Sequence, residues 1–311
     1  MKKLNKKFNG EKVLYAIAHI GLLAFLLLFF AKWTPLVLYN ADDWWYMGTI
    51  RVPFPKWGGW EPSRIFPEVA MPIFSGRFAA WIIYPIIGDY VFSVTLASAI
   101  TMSIMIVIMC ILLNQFLKHR LNCSSVMALL LEGVFIVSCF LIFRNKSGSK
   151  SLFYSADLCT AYFYTMSGIL NAILMLILFK QEDAQKWFKE LGIVKKILLY
   201  VLIYFAMFSN LFHSAISVMF VSAVIFLDMV KEKSIIKAIR NHLLFVSIIL
   251  MWFVVMAFEY SGGRADSVDQ GFQIKLSIVQ LMTMLMAISI PYKIVILGII
   301  IGFVFLFFLE R

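Results

Sequence analysis

A chain of 311 residues that is 62% hydrophobic and only 14% charged lies outside the range of water-soluble domains and reads as a polytopic membrane protein. Its net charge of +11 does not point to nucleic acid, because Lys and Arg fall in short clusters between apolar runs, where loops meet a membrane. The four cysteines, Cys110, Cys123, Cys139 and Cys159, have no paired spacing, and the four histidines are scattered, so neither a disulfide framework nor a metal knuckle is indicated.

The basic start, Met1 to Lys7, imitates a signal peptide, but the apolar run Val13 to Trp33 is too long and no small-residue cleavage site follows it. It reads as a retained first span. A span takes about 20 apolar residues, which places spans near 13–33, 90–117, 125–143, 158–179, 196–209, 211–228, 242–258, 275–290 and 293–309. The fifth and sixth share a turn at Ser209-Asn210, and the last two, split by Pro291, could instead form one re-entrant hairpin. The expected fold is therefore an all-α, polytopic transmembrane bundle of about nine spans in a single domain over 1–311. Its parts are a tail at 1–12, a long loop at 34–89, core spans over 90–258 and a terminal hairpin over 275–309. Most of the 28 Lys and Arg lie inside if the N-terminus is cytoplasmic, so the positive-inside rule turns the 34–89 loop outward from the plasma membrane.

The substantial outer segments are then 34–89, 144–157 and 259–274. The first is long, aromatic and punctuated by Pro53, Pro55, Pro62, Pro67 and Pro72. Loops of that length are functional or disordered, and its aromatic content argues against disorder. It is expected to lie on the membrane as short amphipathic helices.

Directly after the first span stands Asn40-Ala41-Asp42-Asp43-Trp44-Trp45-Tyr46. Aromatics at the headgroup level are ordinary anchors, but two carboxylates there are costly and anchoring does not need them. Three readings fit the pair. A partly desolvated carboxylate can serve as a general base, its pKa raised by burial and by a like-charged neighbour. Two adjacent carboxylates can hold a divalent cation together with phosphate oxygens. Or the pair caps the helix that comes next.

Arg64, Arg77 and Arg264 are the outer arginines suited to leave solvent and grip a phosphate, against a plain role in headgroup snorkelling. Arg264 follows Gly262-Gly263, where the backbone can approach a ligand closely. His213, beside Asn210 at the turn between the fifth and sixth spans, could donate to a sugar hydroxyl or a phosphate, or join two helices. Glu132 lies inside the third span and needs a partner there. Trp57, Trp60, Tyr154, Tyr162 and Tyr164 suit either sugar stacking or an interface belt. Phosphate loops, zinc helices and nucleophile elbows are absent from the sequence, which sets aside ATP-driven transport and zinc proteolysis.

Taken together the pattern resembles the GT-C class of polytopic glycosyltransferases, including bacterial relatives of the O-antigen glucosyltransferases. The Asn40 to Tyr46 stretch is similar to the acidic motif of their first outer loop, and Ser75-Gly76-Arg77-Phe78 to the Gly-Arg-Phe element that closes it. Phe153-Tyr154 with Tyr162 to Gly168, and Glu259-Tyr260-Ser261-Gly262-Gly263-Arg264, resemble later elements of the class, so the likeness covers most of residues 10–270. The chain departs from it at Ser209-Asn210-Leu211-Phe212-His213, where many relatives carry an acid.

The resemblance implies an inverting transferase that moves a sugar from a polyprenyl-phosphate donor to a cell-envelope glycan or lipid acceptor at the outer face. Asp42 would be the base, Arg77 with Arg64 and Arg264 would hold the leaving phosphate, and membrane lipid would surround the donor's tail. The alternative is a non-enzymatic membrane component, a flippase or assembly partner of surface polysaccharide export. The enzymatic reading expects Asp42, Asp43, Arg77 and Arg264 to converge on one outward cavity, on the order of 300–1,000 Å³.

Overall fold

The computed structural model describes residues 2–140 and 157–263, with five isolated positions beyond them at 278, 279, 282, 283 and 297. The chain divides into two compact units, Met1–Arg264 and Ala265–Arg311. The two terminal spans expected over 275–309 lie outside the described residues.

The first unit is built from helices, with no strand among the described residues. In order these are α1 (Lys2–Leu28), which continues in a π-helical turn to Trp33, then α2 (Ala41–Gly48), α3 (Ile65–Met71), α4 (Tyr84–Ile87), α5 (Tyr90–Arg120) and α6 (Ser125–Phe140). After the 141–156 stretch come α7 (Leu158–Thr160), α8 (Ser167–Phe179), α9 (Ala184–Glu190), α10 (Ile193–Met207), α11 (Leu211–Glu232), α12 (Ile235–Asn241) and α13 (Leu243–Tyr260). Among the described residues six helices are long and apolar enough to cross a membrane, which makes this a multi-pass membrane protein.

Two sets of hydrogen bonds define the ends of the bundle. At the first, the Arg120 end, Ser125 Oγ donates to Glu11 Oε2 (2.9 Å) and Lys180 Nζ to Gln115 Oε1 (2.9 Å). At the other, the α2 end, Asn40 Nδ2 donates to Asp157 Oδ2 (3.1 Å) and Phe66 N to Phe208 O (2.9 Å). The long helices α1, α5, α6, α8, α10, α11 and α13 run between them.

The stretch Ile65–Ile87 does not. It is long and apolar enough to span, yet Phe66 is bonded to the α10–α11 turn, and Gly88 (φ 77°) turns the chain into Asp89, which caps α5 at the same end. This departs from the short helices expected of the proline-rich loop, because its prolines do not break it. Pro67 stands in the first turn, where the missing N–H has no intrahelical partner anyway, and Pro72 opens a π-helical stretch, Pro72–Arg77.

α8 is the centre. In the Leu158–Phe179 window 72% of residues are buried, against 22% in α1, α11 and α13, whose exposed faces are apolar. A helix apolar all round is a buried one. Ile169 and Ile173 on one face join the core formed with α1 and α5, while Leu170, Leu174 and Leu178 join that of α10, α11 and α13. Polar side chains inside this core are paired across helices. Asn171 donates to Ala206 O (3.0 Å) and Ser209 Oγ (3.0 Å) and accepts from Ser217 Oγ (2.9 Å), tying α8 to α10 and α11. Glu132, the acid expected to need a partner, accepts from Asn114 Nδ2 (3.2 Å) and faces His19 Nε2 at 3.3 Å.

Candidate functional site

The site is assembled on α2. Asn40 is extended (φ −133°, ψ 178°) and accepts from Asp43 N (3.0 Å), while the Asp43 carboxylate accepts in return from Asn40 N (3.2 Å), a complete capping box. Asp43 goes further than a cap. Its Oδ2 also accepts from Tyr39 N (2.6 Å) and its Oδ1 from Cys159 N (2.6 Å), so one side chain joins the end of the first span, α2 and α7. It is 0% exposed. Burial raises its pKa and the neighbouring Asp157 carboxyl adds to the rise, against the three backbone N–H groups that lower it. Asp157 caps α7 in its turn through Thr160 N (3.2 Å) and Thr160 Oγ1 (3.0 Å).

Asp43 is therefore a buried carboxylate held by three backbone N–H groups, those of Tyr39, Asn40 and Cys159. Asp42, one residue earlier, stands exposed on the first turn of α2. Asp42 and Asp43 are successive residues on a helix and do not face the same way. Among the described residues no three His, Cys, Asp or Glu side chains converge to hold a metal.

Around α2 the chain converges on Phe163, 1% exposed in the π-helical opening of α8. The Tyr46 ring lies 4.8 Å from it, the Arg64 guanidinium stands over it at 5.1 Å, and its carbonyl accepts from Asn210 Nδ2 (3.2 Å). Arg64 also pairs with Glu61 (3.0 Å), which accepts from the Tyr46 hydroxyl (3.2 Å). Burial and then the charges of Glu61 and Glu68 push the Tyr46 phenol upward, so it stays a donor. Arg51 donates to Glu68 (2.9 Å) and to the carbonyls of Glu61 (2.7 Å) and Pro62 (3.4 Å), and so holds the 51–64 loop together.

The expected residues thus separate. Asp42 stands exposed on α2, and Arg64 is half-buried over Phe163. Gly76 packs on Met47 at the far end of α2, and Arg77 is exposed with its guanidinium 5.6 Å from the Trp81 ring on its own helix. His213 stands at the start of α11 with Nδ1 buried and without a hydrogen bond. Arg264 lies outside the described residues, as does Tyr154. Cavities of about 790 and 620 Å³ lie at the Arg120 end and along α10, and Asp42 lines neither.

Tyr46, Arg51, Glu61, Glu68 and Phe163 escaped sequence reasoning as a group. Each is an ordinary loop or interface residue until the turn of the 51–64 loop brings Glu61 back to Tyr46, and no local spacing announces that. A signal did exist for the two loops that meet here. Trp57-Gly58-Gly59-Trp60 and Ser261-Gly262-Gly263 are both glycine-rich, and they dock: Gly263 N donates to Gly59 O (3.1 Å) and Gly58 N to Ser261 Oγ (3.2 Å). A Cβ on Gly262 would lie 3.0 Å from Gly59 O, 3.1 Å from Glu259 O and 3.1 Å from Pro62 Cδ. Gly262→Ala should therefore part the loops and destabilise the α2 end by about 1–3 kcal/mol. Limited proteolysis at the 51–64 loop reads this out, and an unchanged digestion pattern and Tm would show that the docking is incidental.

Along α10 runs an apolar groove of about 620 Å³, lined by Pro53 and Phe54 at the α2 end, Phe188 and Ile193 at the other, and Tyr200 and Tyr204 between. The Tyr204 hydroxyl donates to Pro53 O (2.7 Å) and pins the loop to the helix. Comparison of the chain with protein-family models, with curated proteins and with solved structures finds no match in any of the three.

Proposed function

We propose that the protein is an inverting glycosyltransferase that moves a sugar from a polyprenyl-phosphate donor to a cell-envelope glycan or lipid acceptor at the α2 end of the bundle. That end faces outward from the plasma membrane and the N-terminus is cytoplasmic. The observation that carries this reading is the division of labour in Asp42-Asp43: the second carboxylate fixes the helix, and the first is left exposed on a rigid mount. Asp42 takes the proton of the acceptor hydroxyl as that oxygen attacks the anomeric carbon. The bond from that carbon to the lipid phosphate breaks, the configuration inverts, and the phosphate leaves with the bonding electrons.

Arg64 spends one edge on Glu61, and its remaining N–H groups are free to stabilise the leaving phosphate, the larger of the two contributions. The groove along α10 suits the donor's isoprenoid chain: it is apolar, and it runs along the helix from Ile193 to Pro53 at the α2 end. Thin-layer analysis of polyprenyl-linked sugars in cells lacking the protein tests the proposal. Accumulated lipid-phosphate sugar with a shortened or unmodified surface glycan is expected. Unaltered pools of both would end the transferase reading.

A further inference from the structure

At the Arg120 end a cavity of about 790 Å³ opens between the end of α5, the α8–α9 connection, α11 and the α12–α13 turn. Its walls are joined across elements. Gln185 Oε1 accepts from Leu244 N (2.8 Å), and Asp228 Oδ2 accepts from Asn241 Nδ2 (3.1 Å) while facing His242 Nε2 at 3.3 Å. The floor is aromatic: Phe179 and Phe245 are 6.2 Å apart, and the His242 ring lies parallel to Phe245 at 5.5 Å.

Arg120, Lys186, Lys189, Lys231 and Arg240 all line this space, and none of the five is in an ion pair among the described residues. Two of the three acids present are occupied, Asp228 as above and Asp183 by capping α9 through Lys186 N (2.8 Å). With Glu182, the lining holds three acids against five Lys and Arg, an excess of two positive charges. Basic residues at a membrane edge are ordinary, but anchoring spreads them around the rim and needs no cavity. Here they come from separate elements and surround one space within the size range of small-ligand sites.

We infer that this cavity is a binding site for a phosphate-bearing anion, either a lipid headgroup or a soluble phosphorylated molecule. Several convergent cations match the multiple charge of a phosphoryl group, the guanidinium forks of Arg120 and Arg240 match its oxygens, and the aromatic floor offers an apolar face to whatever the phosphate is attached to. The inference rests on this cavity alone and stands or falls apart from the reaction at the other end.

Inorganic pyrophosphate, titrated at constant ionic strength into the purified full chain, is the probe. A saturable rise in Tm on the order of 5 °C is expected at saturation. Lys186→Glu with Arg240→Glu should weaken pyrophosphate binding about tenfold or more, with the ligand-free Tm unchanged because neither side chain has a partner to lose. Lys195→Glu with Lys237→Glu makes the same charge change on exposed residues of the same end outside the cavity, and should leave affinity intact. Repeating the titration in nanodiscs separates the sources. Equal affinity in phosphatidylcholine and phosphatidylglycerol supports a soluble ligand at the site, and competition confined to phosphatidylglycerol supports a headgroup there. Absence of any saturable shift, or equal losses in both double variants, would overturn the site and leave a diffuse surface potential.

Discussion

Asp42→Asn is expected to reduce sugar transfer by about 10²–10⁴-fold while leaving the protein folded, and Asp43→Asn to do the reverse, unfolding the α2 end first and losing transfer only in consequence. The two residues are adjacent and chemically identical, so the contrast isolates position. Asp42 is exposed at the second position of α2, and its replacement forfeits at most a favourable interaction with the helix N-terminus, about 0.3–1 kcal/mol. Asp43 uses both carboxylate oxygens as acceptors, one for Cys159 N and one for Tyr39 N and Asn40 N. An asparagine there must turn its NH₂ against one set of donors, and each orphaned buried N–H costs about 1–3 kcal/mol. Transfer assays on membranes supplied with polyprenyl-phosphate sugar, beside Tm in detergent, separate the outcomes. Wild-type transfer by Asp42→Asn would remove the base from the proposal.

The same carboxylate gives the α2 end a pH dependence of defined sign. Burial, with Asp157 beside it, raises the Asp43 pKa in the folded protein above its unfolded value. The folded state then holds a proton that the unfolded state has already released. Stability from this group is fully present below the unfolded pKa and is lost as pH rises through the folded one. Tm should fall across that window, and Asp43→Asn should flatten the slope. A slope of the opposite sign that disappears with Asp43 would mean that its hydrogen bonds outweigh its burial.

How far the sequence could be read differs between the fold and the site, for physical reasons. The long apolar runs that became α1, α5, α8, α11 and α13 were legible because a membrane imposes length and apolarity on any segment that crosses it. Ile65–Ile87 meets the same two criteria and returns to the end it left, since what holds it there is a bond from Phe66 N to Phe208 O that no hydropathy profile contains. At the site, the Asp-Asp pair stood out as costly, and helix capping was among the readings open to it. Which aspartate caps was decided by distance along the chain from Asn40: the box closes on the third residue after the cap, so Asp43 turns inward and Asp42 outward. Arg64 and Arg77 looked alike as loop arginines. Their fates diverged through partners distant in sequence, Phe163 for one, and through a local neighbour, Trp81, for the other. Local spacing predicts the second kind of contact and is blind to the first.

Phe163 is the residue on which the largest loss of stability should fall. It is 1% exposed, and three segments meet on it: α2 through Tyr46, the 51–64 loop through Arg64, and the α10–α11 turn through Asn210. Truncation to alanine should cost about 3–5 kcal/mol from lost burial and the cavity left behind. The Asn210 bond is made to the backbone and survives, so the damage should concentrate where Tyr46 and Arg64 rest. Phe163→Ala alone cannot distinguish a fallen platform from a fallen fold, and Phe163→Leu does. Leucine restores much of the volume at a cost of about 1.5 kcal/mol or less, but gives the guanidinium no ring face, an interaction worth about 0.5–2 kcal/mol. With Arg64 loosened by about 1 Å, transfer should fall up to about 10²-fold while Tm stays close to wild type. Arg64→Ala should show the same kinetic loss, and the two losses should not add, because both remove one positioned cation. Full activity in a stably folded Phe163→Leu protein, set against an inactive Arg64→Ala, would mean that Glu61 alone holds the arginine and that the ring beneath it is only core.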